Sequence, residues 1–195
     1  MVVFDATIIL ALLHSDGPPP RHPETNEPVD RFRERIDHLI EGLEKDRSKI
    51  IIPTPTLSEV LVRANAAAGE YLDKINATSA FRPAPFDERA AVEVAAMTRE
   101  ALARGDDKRD GQDGTWAKIK YDRQIVAIAK VEGAKTIYSD DKGVFSLAKK
   151  NCLAVIRVAD LPLPPEKPQQ ELDFDREIES LPTVQNDETA DPKEE

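Results

Sequence analysis

Apolar residues in this chain fall into short runs of three or four, separated by longer stretches with helical spacing. Val2, Val3 and Phe4 form the first run, which ends at Asp5 and is followed by a predicted helix over residues 7–14. A charged amphipathic helix is predicted near residues 30–46, where Phe32, Ile36, Leu39, Ile40 and Leu43 make one apolar stripe. Ile50, Ile51 and Ile52 form a second strand, closed by Pro53 and Pro55. Thr56 opens a helix to about residue 68, with further helical sequence to 76. Residues 81–86 carry prolines and suit an edge strand. An alanine-rich helix over 90–104 ends at Gly105. After a polar loop, Ile125, Val126, Ile128 and Ala129 mark a helix over 123–132 that stops at Gly133. Thr136, Ile137 and Tyr138 form a strand, residues 144–150 a short helix and 153–158 a last strand. Strands alternating with helices imply an α/β fold, a mostly parallel sheet with helices on both faces.

The chain has 195 residues, enough for one domain with a sizeable core. Its formal net charge of −10 is unevenly placed. From Asp160 onward there are 12 acidic and 3 basic residues, whereas the preceding part is nearly neutral. The organisation expected is therefore a domain over residues 1–160, followed by an acidic, proline-containing tail over 161–195, disordered or loosely docked. Within the tail, Leu172, Phe174 and Ile178 have the spacing of a short docked helix. Residues 15–30 form a surface loop containing Pro18, Pro19, Pro20, Pro23 and Pro28. The longest apolar run, Ile8 to Leu13, is too short to span a bilayer, and no basic segment precedes it as in a secretory signal. A single cysteine, Cys152, cannot form an intrachain disulfide and reads as a small buried residue at the start of the last strand. These features point to a cytoplasmic protein that makes no membrane contact and holds no structural zinc.

In a parallel sheet the carboxyl ends of the strands and the amino ends of the following helices share one edge, where ligands bind. Asp5 stands at the end of the first strand, Glu59 in the first turn of the helix after the second, Asp122 at the start of the helix from Arg123, and Asp140 with Asp141 after the fourth strand. Each has an ordinary structural role open to it. Asp5 and Asp122 suit helix caps, Thr56 to Glu59 matches a capping box, and Asp140-Asp141-Lys142-Gly143 is turn chemistry. Together they make a different case, because grouped carboxylates repel one another unless a cation is held among them. Oxygen donors without histidine or thiolate select Mg²⁺ or Mn²⁺, and such a centre suits phosphodiester hydrolysis.

The segments Val2-Val3-Phe4-Asp5-Ala6-Thr7, Ser58-Glu59-Val60, Tyr121-Asp122-Arg123-Gln124-Ile125-Val126-Ala127-Ile128-Ala129 and Ile137-Tyr138-Ser139-Asp140-Asp141 resemble, in order, the motifs of PIN-domain ribonucleases, most closely the VapC-like branch. The likeness covers about residues 1–158. It implies a three-layer α/β/α sandwich with a five-stranded sheet in the order 3-2-1-4-5, and a Mg²⁺- or Mn²⁺-dependent endoribonuclease. It also implies acidic roles for Asp5, Glu59 and Asp122, with Ser139 as the hydroxyl residue and Asp141 as the fourth acid; Asp140 is the alternative one residue away. Thr7 matches a hydroxyl residue near the first acid.

The setting implied is the toxin of a toxin-antitoxin pair, with RNA as substrate and a small antitoxin protein as partner. A PIN-type nuclease outside such systems and a non-catalytic RNA- or protein-binding module are the alternatives, since fold does not fix function. Phosphate contacts are expected from the basic residues between Arg104 and Arg123, a stretch that also includes Lys108 and Arg109; Lys118, Lys120 and Arg123 are the main candidates. Trp116 and Tyr121 either stack on a base or pack at the margin of the core. The stripe from Phe32 to Leu43 is core, a groove for a partner's helix, or a twofold contact in a homodimer.

Overall fold

A computed structural model describes residues 1–14, 17–105 and 114–165. The tail from residue 166, with Leu172, Phe174 and Ile178, lies outside the described residues, as do Lys108 and Arg109.

Five strands, β1 (Val2–Phe4), β2 (Ile50–Pro53), β3 (Phe81–Ala84), β4 (Thr136–Tyr138) and β5 (Ala154–Ile156), form one all-parallel sheet in the order β3-β2-β1-β4-β5. Seven α-helices accompany them among the described residues: α1 (Ala6–Leu13), α2 (Phe32–Lys45), α3 (Thr54–Ala64), α4 (Ala68–Ala77), α5 (Glu88–Ala103), α6 (Trp116–Val131) and α7 (Lys142–Lys150). The period-two alternation of the strands divides the core between the two faces. Val3, Ile51 and Ile137 pack against α5, α6 and α7. Phe4, Ile50, Ile52 and Tyr138 pack against helices α1 to α4. The chain winds outward from β1 to β3, crosses back to β4, and continues to β5. The order therefore reverses between β1 and β4, a topological switch point at which parallel sheets open a crevice beyond the strand ends. None of the described helices is long and apolar enough to cross a membrane.

Four local expectations change. Helix α3 begins at Thr54, with Pro55 in its first turn, where the missing amide of proline costs no hydrogen bond. Thr56 and Glu59 therefore lie inside the helix and form no capping box. Helix α6 starts at Trp116, capped by the Thr115 side chain on the Lys118 amide, so Asp122 sits well inside it. The charged residues from Lys118 to Arg123 hide the continuation of the apolar stripe through buried Ile119. Cys152 is exposed, in a positive-φ turn (59°) between α7 and β5, and is not the buried start of a strand. The proline loop contains an antiparallel bridge between Arg21 and Pro28 rather than being wholly irregular.

Candidate functional site

The carboxyl end of β1 gives Asp5, which caps α1 by accepting a hydrogen bond from the Ala6 amide at 2.8 Å. The structural and chemical readings of this residue coincide, because its second oxygen is turned toward β4. There the Ser139 hydroxyl donates to Asp5 Oδ2 at 2.6 Å, and the same hydroxyl accepts from the Asp141 amide at 3.1 Å. Thr56, fully buried on α3, donates to Asp5 Oδ1 at 3.4 Å. In sequence Thr56 reads only as a cap, because the helix begins two residues earlier, at Thr54. Thr7 is half-buried in the first turn of α1, and the hydroxyls that touch Asp5 are those of Thr56 and Ser139.

Asp141 caps α7, its Oδ1 accepting from the amides of Gly143 at 2.7 Å and Val144 at 3.2 Å. Asp122 reaches the same place from α6. The close approach is made possible by Gly143, whose missing side chain leaves room for the Asp122 carboxylate. Lys118, one turn before Asp122, closes the group. Its Nζ donates to Asp122 Oδ2 at 3.1 Å and to both oxygens of Asp141 at 2.8 Å.

Asp140 points elsewhere. Its Oδ1 accepts from the Val158 amide at 2.9 Å and so ties β4 to the end of β5. Glu59 is exposed and paired with Arg63 at 2.7 Å, close enough for its charge to act on Asp5. Arg123 is buried, and its guanidinium donates to Thr98 on α5 at 3.2 Å and lies near the Trp116 ring. Lys120 is exposed with its ammonium 5.3 Å from the centre of the same ring, while Tyr121 is exposed. The structure thus brings Asp5, Asp122, Asp141, Ser139 and Lys118 together, keeps Glu59 at the margin, and turns Asp140 and Arg123 to other contacts.

The electrostatics follow from burial and crowding. Burial pushes the Asp122 carboxyl up to about 6, with the negative charges of Asp141 and Asp5 adding to the shift and Lys118 opposing it. Burial also raises Asp5, against the hydrogen bonds from Ser139 and Ala6. For Lys118, partial burial works against the charge, but hydrogen bonding to Asp141 and Asp122 outweighs it and holds the ammonium above its ordinary range. Among the described residues no group of three acidic, histidine or cysteine side chains is close enough to hold a metal ion by itself. Two carboxylates, those of Asp122 and Asp141, share one cation, the Lys118 ammonium. That donor set still suits a small hard ion, since Mg²⁺ usually takes one or two carboxylates and keeps several waters.

The all-parallel sheet in the order 3-2-1-4-5 is that of the PIN-like fold. No protein-family model and no curated protein sequence matches the chain. Solved structures do. A chain of the crystal structure of VapBC2 from Rickettsia felis, bound to a DNA fragment from their promoter, superposes with a TM-score of 0.53 at 14% identity, covering 80% of this chain and 98% of that one. The structure of FitAB bound to the IR36 DNA fragment gives 0.52 at 20% identity, with 83% and 98% covered. DNA-bound VapBC from Salmonella typhimurium gives 0.50 at 16%, with 80% and 97% covered. At these identities the likeness is one of fold.

Proposed function

We propose that this protein is a divalent-metal-dependent endoribonuclease of the PIN type, hydrolysing RNA phosphodiester bonds, and that it acts as the toxin of a toxin-antitoxin pair. The observation that carries the reading is the meeting of Asp5, Asp122 and Asp141, from three separate segments, at the crevice between β1 and β4 with a cation held between two of them. Charged carboxylates packed this closely are costly to a fold and have no structural need of one another. A bound Mg²⁺ or Mn²⁺ would supply an activated water and offset charge on the phosphate.

Asp122 and Asp141 are the residues that would hold the ion, with Asp5 beside them. Ser139 fixes the Asp5 carboxylate and the Asp141 backbone with one hydroxyl. Thr56 closes the other side of Asp5. Lys120, exposed on α6, and Lys118, once released from the carboxylates, would supply contacts to the phosphate backbone of RNA. The amino end of α7 at the same edge favours an anionic substrate. The toxin setting is supported by fold likeness to the VapBC and FitAB structures; a small antitoxin protein is the partner it implies, with homodimerisation as a further expectation.

The decisive experiment incubates purified protein with single-stranded and structured RNA in Mg²⁺, Mn²⁺ or EDTA, alongside Asp5→Asn and Asp122→Asn. Cleavage that needs the metal and disappears in both variants, with circular dichroism unchanged, is the expected result. RNA that is bound but left intact by the wild type identifies a binding module instead. Variants that cut normally overturn the catalytic assignment.

A further inference from the structure

We propose that Lys118 is the resident counter-ion of this site, an ammonium that holds the metal-free carboxylates in place and must be displaced before a divalent ion can bind. The inference rests on the metal-dependent reading above. It is carried by geometry: one Nζ donates to Asp122 and to both oxygens of Asp141, so it occupies the position from which the two carboxylates would hold a metal. The pairing is built into the helix. Lys118 and Asp122 are one turn apart on the same face of α6, and α7 presents Asp141 to them with its carboxylate already oriented by the Gly143 and Val144 amides.

A buried Asp122 beside a second carboxylate needs a partner of opposite charge in the metal-free protein, and Lys118 is the cation in contact with both. The ammonium at those oxygens disfavours a divalent ion in the same place. The two compete for the same acceptors and repel each other at contact distance. The lysine is suited to exchange because its side chain is half exposed and rides on a flexible four-carbon stem. Once displaced it remains rooted on α6 beside the crevice, available to a phosphate of the incoming RNA. Metal entry would therefore create a substrate contact as well as a reactive centre.

Competition predicts that neutralising the lysine tightens metal binding. The experiment measures Mn²⁺ binding to the full chain by isothermal titration calorimetry and by the electron paramagnetic resonance signal of free Mn²⁺, for wild type, Lys118→Met, Lys118→Gln and Lys118→Arg. Thermal unfolding is followed in EDTA and in Mn²⁺. The expected result is an affinity about tenfold higher in the two neutral variants. Their metal-free forms melt below the wild type and regain the difference with Mn²⁺, while Lys118→Arg stays near the wild type. The neutral pair guards against one substitution failing to fold. Equal or weaker Mn²⁺ binding by both neutral variants overturns the counter-ion role and leaves the metal reading intact. No Mn²⁺ binding by any of the four proteins overturns both.

Discussion

The Asp122 carboxylate fills the space that a side chain at position 143 would need. A Cβ there would overlap Asp122 Oδ2 and stand 3.1 Å from both Asp122 Cγ and Asp141 Oδ1. Glycine is required at this point by the approach of α6 to the amino end of α7. Gly143→Ala is therefore expected to push Asp122 out of the crevice, lowering Mn²⁺ affinity and RNA cleavage at least about tenfold, in the range found for disturbed metal surroundings. The far-ultraviolet circular dichroism should not change. Unaltered Mn²⁺ binding in the alanine variant would show that Asp122 need not sit where it does.

Neighbouring aspartates at positions 140 and 141 have separate tasks. Asp140 accepts from the Val158 amide, and Asp141 faces Asp122 across Lys118. Asp141→Asn should abolish metal-dependent cleavage. Asp140→Asn should retain most activity per folded molecule, because an amide oxygen can still accept from Val158. Paired activity and urea-unfolding measurements on the two variants decide the matter; greater loss of activity in Asp140→Asn would reverse the assignment.

Ser139 is fully buried and spends its hydroxyl on two groups of the site. Ser139→Ala leaves an oxygen of Asp5 without its donor, at an expected cost of about 1–3 kcal/mol in unfolding free energy. It should also reduce cleavage more than it reduces stability, since Asp5 is freed to rotate. Ser139→Thr keeps the hydroxyl but adds a methyl group to a packed position. Measuring kcat/KM beside the unfolding midpoint for both variants separates the lost hydrogen bond from overpacking.

Raised carboxyl pKa values give the metal-free protein a defined pH dependence. Asp122 goes from 3.8 in an unfolded chain to about 6 in the fold, so the native state binds its proton more readily. The stabilisation is complete below pH 4 and is lost as pH rises through 6. Asp5 acts in the same direction. Asp122→Asn in EDTA should accordingly be more stable than wild type at pH 7, by on the order of 1–3 kcal/mol. That advantage should shrink toward zero at pH 4. Urea unfolding at the two pH values tests this, and a difference independent of pH would contradict it. Mn²⁺ binding should show the opposite trend, weakening as the solution is acidified through pH 6, because the ligand must first lose its proton.

Much of this architecture was legible because its strands are short apolar runs bounded by glycine, proline or aspartate. The order 3-2-1-4-5 came through resemblance, since alternation alone specifies a parallel sheet but not which strand lies in the middle. Asp5 and Asp141 could be placed at strand ends because they also cap the following helices. Asp122 was found as a candidate but misplaced within its helix, since Lys118, Lys120, Tyr121 and Arg123 interrupt the apolar stripe that begins at Ile119. Arg123 looked like a phosphate ligand because arginine is rarely buried; here the body of α5 covers it. Two contributions had no signal of their own: the glycine whose absent side chain admits Asp122, and the threonine that reaches Asp5 across 51 positions of sequence; Lys118 was read for phosphate contact, whereas the fold sets it between two carboxylates. Each depends on proximity created by the tertiary fold.

Strand β1 lies at the centre of the sheet, and two of the acids opposite it follow more than a hundred residues later in the chain. A ribosome-tethered chain still lacking α6 and α7 has no complete crevice, however well its first half has folded. On the nuclease reading, the cell making this protein is shielded from its activity until α6 and α7 have emerged and folded, an interval in which an inhibitor can arrive.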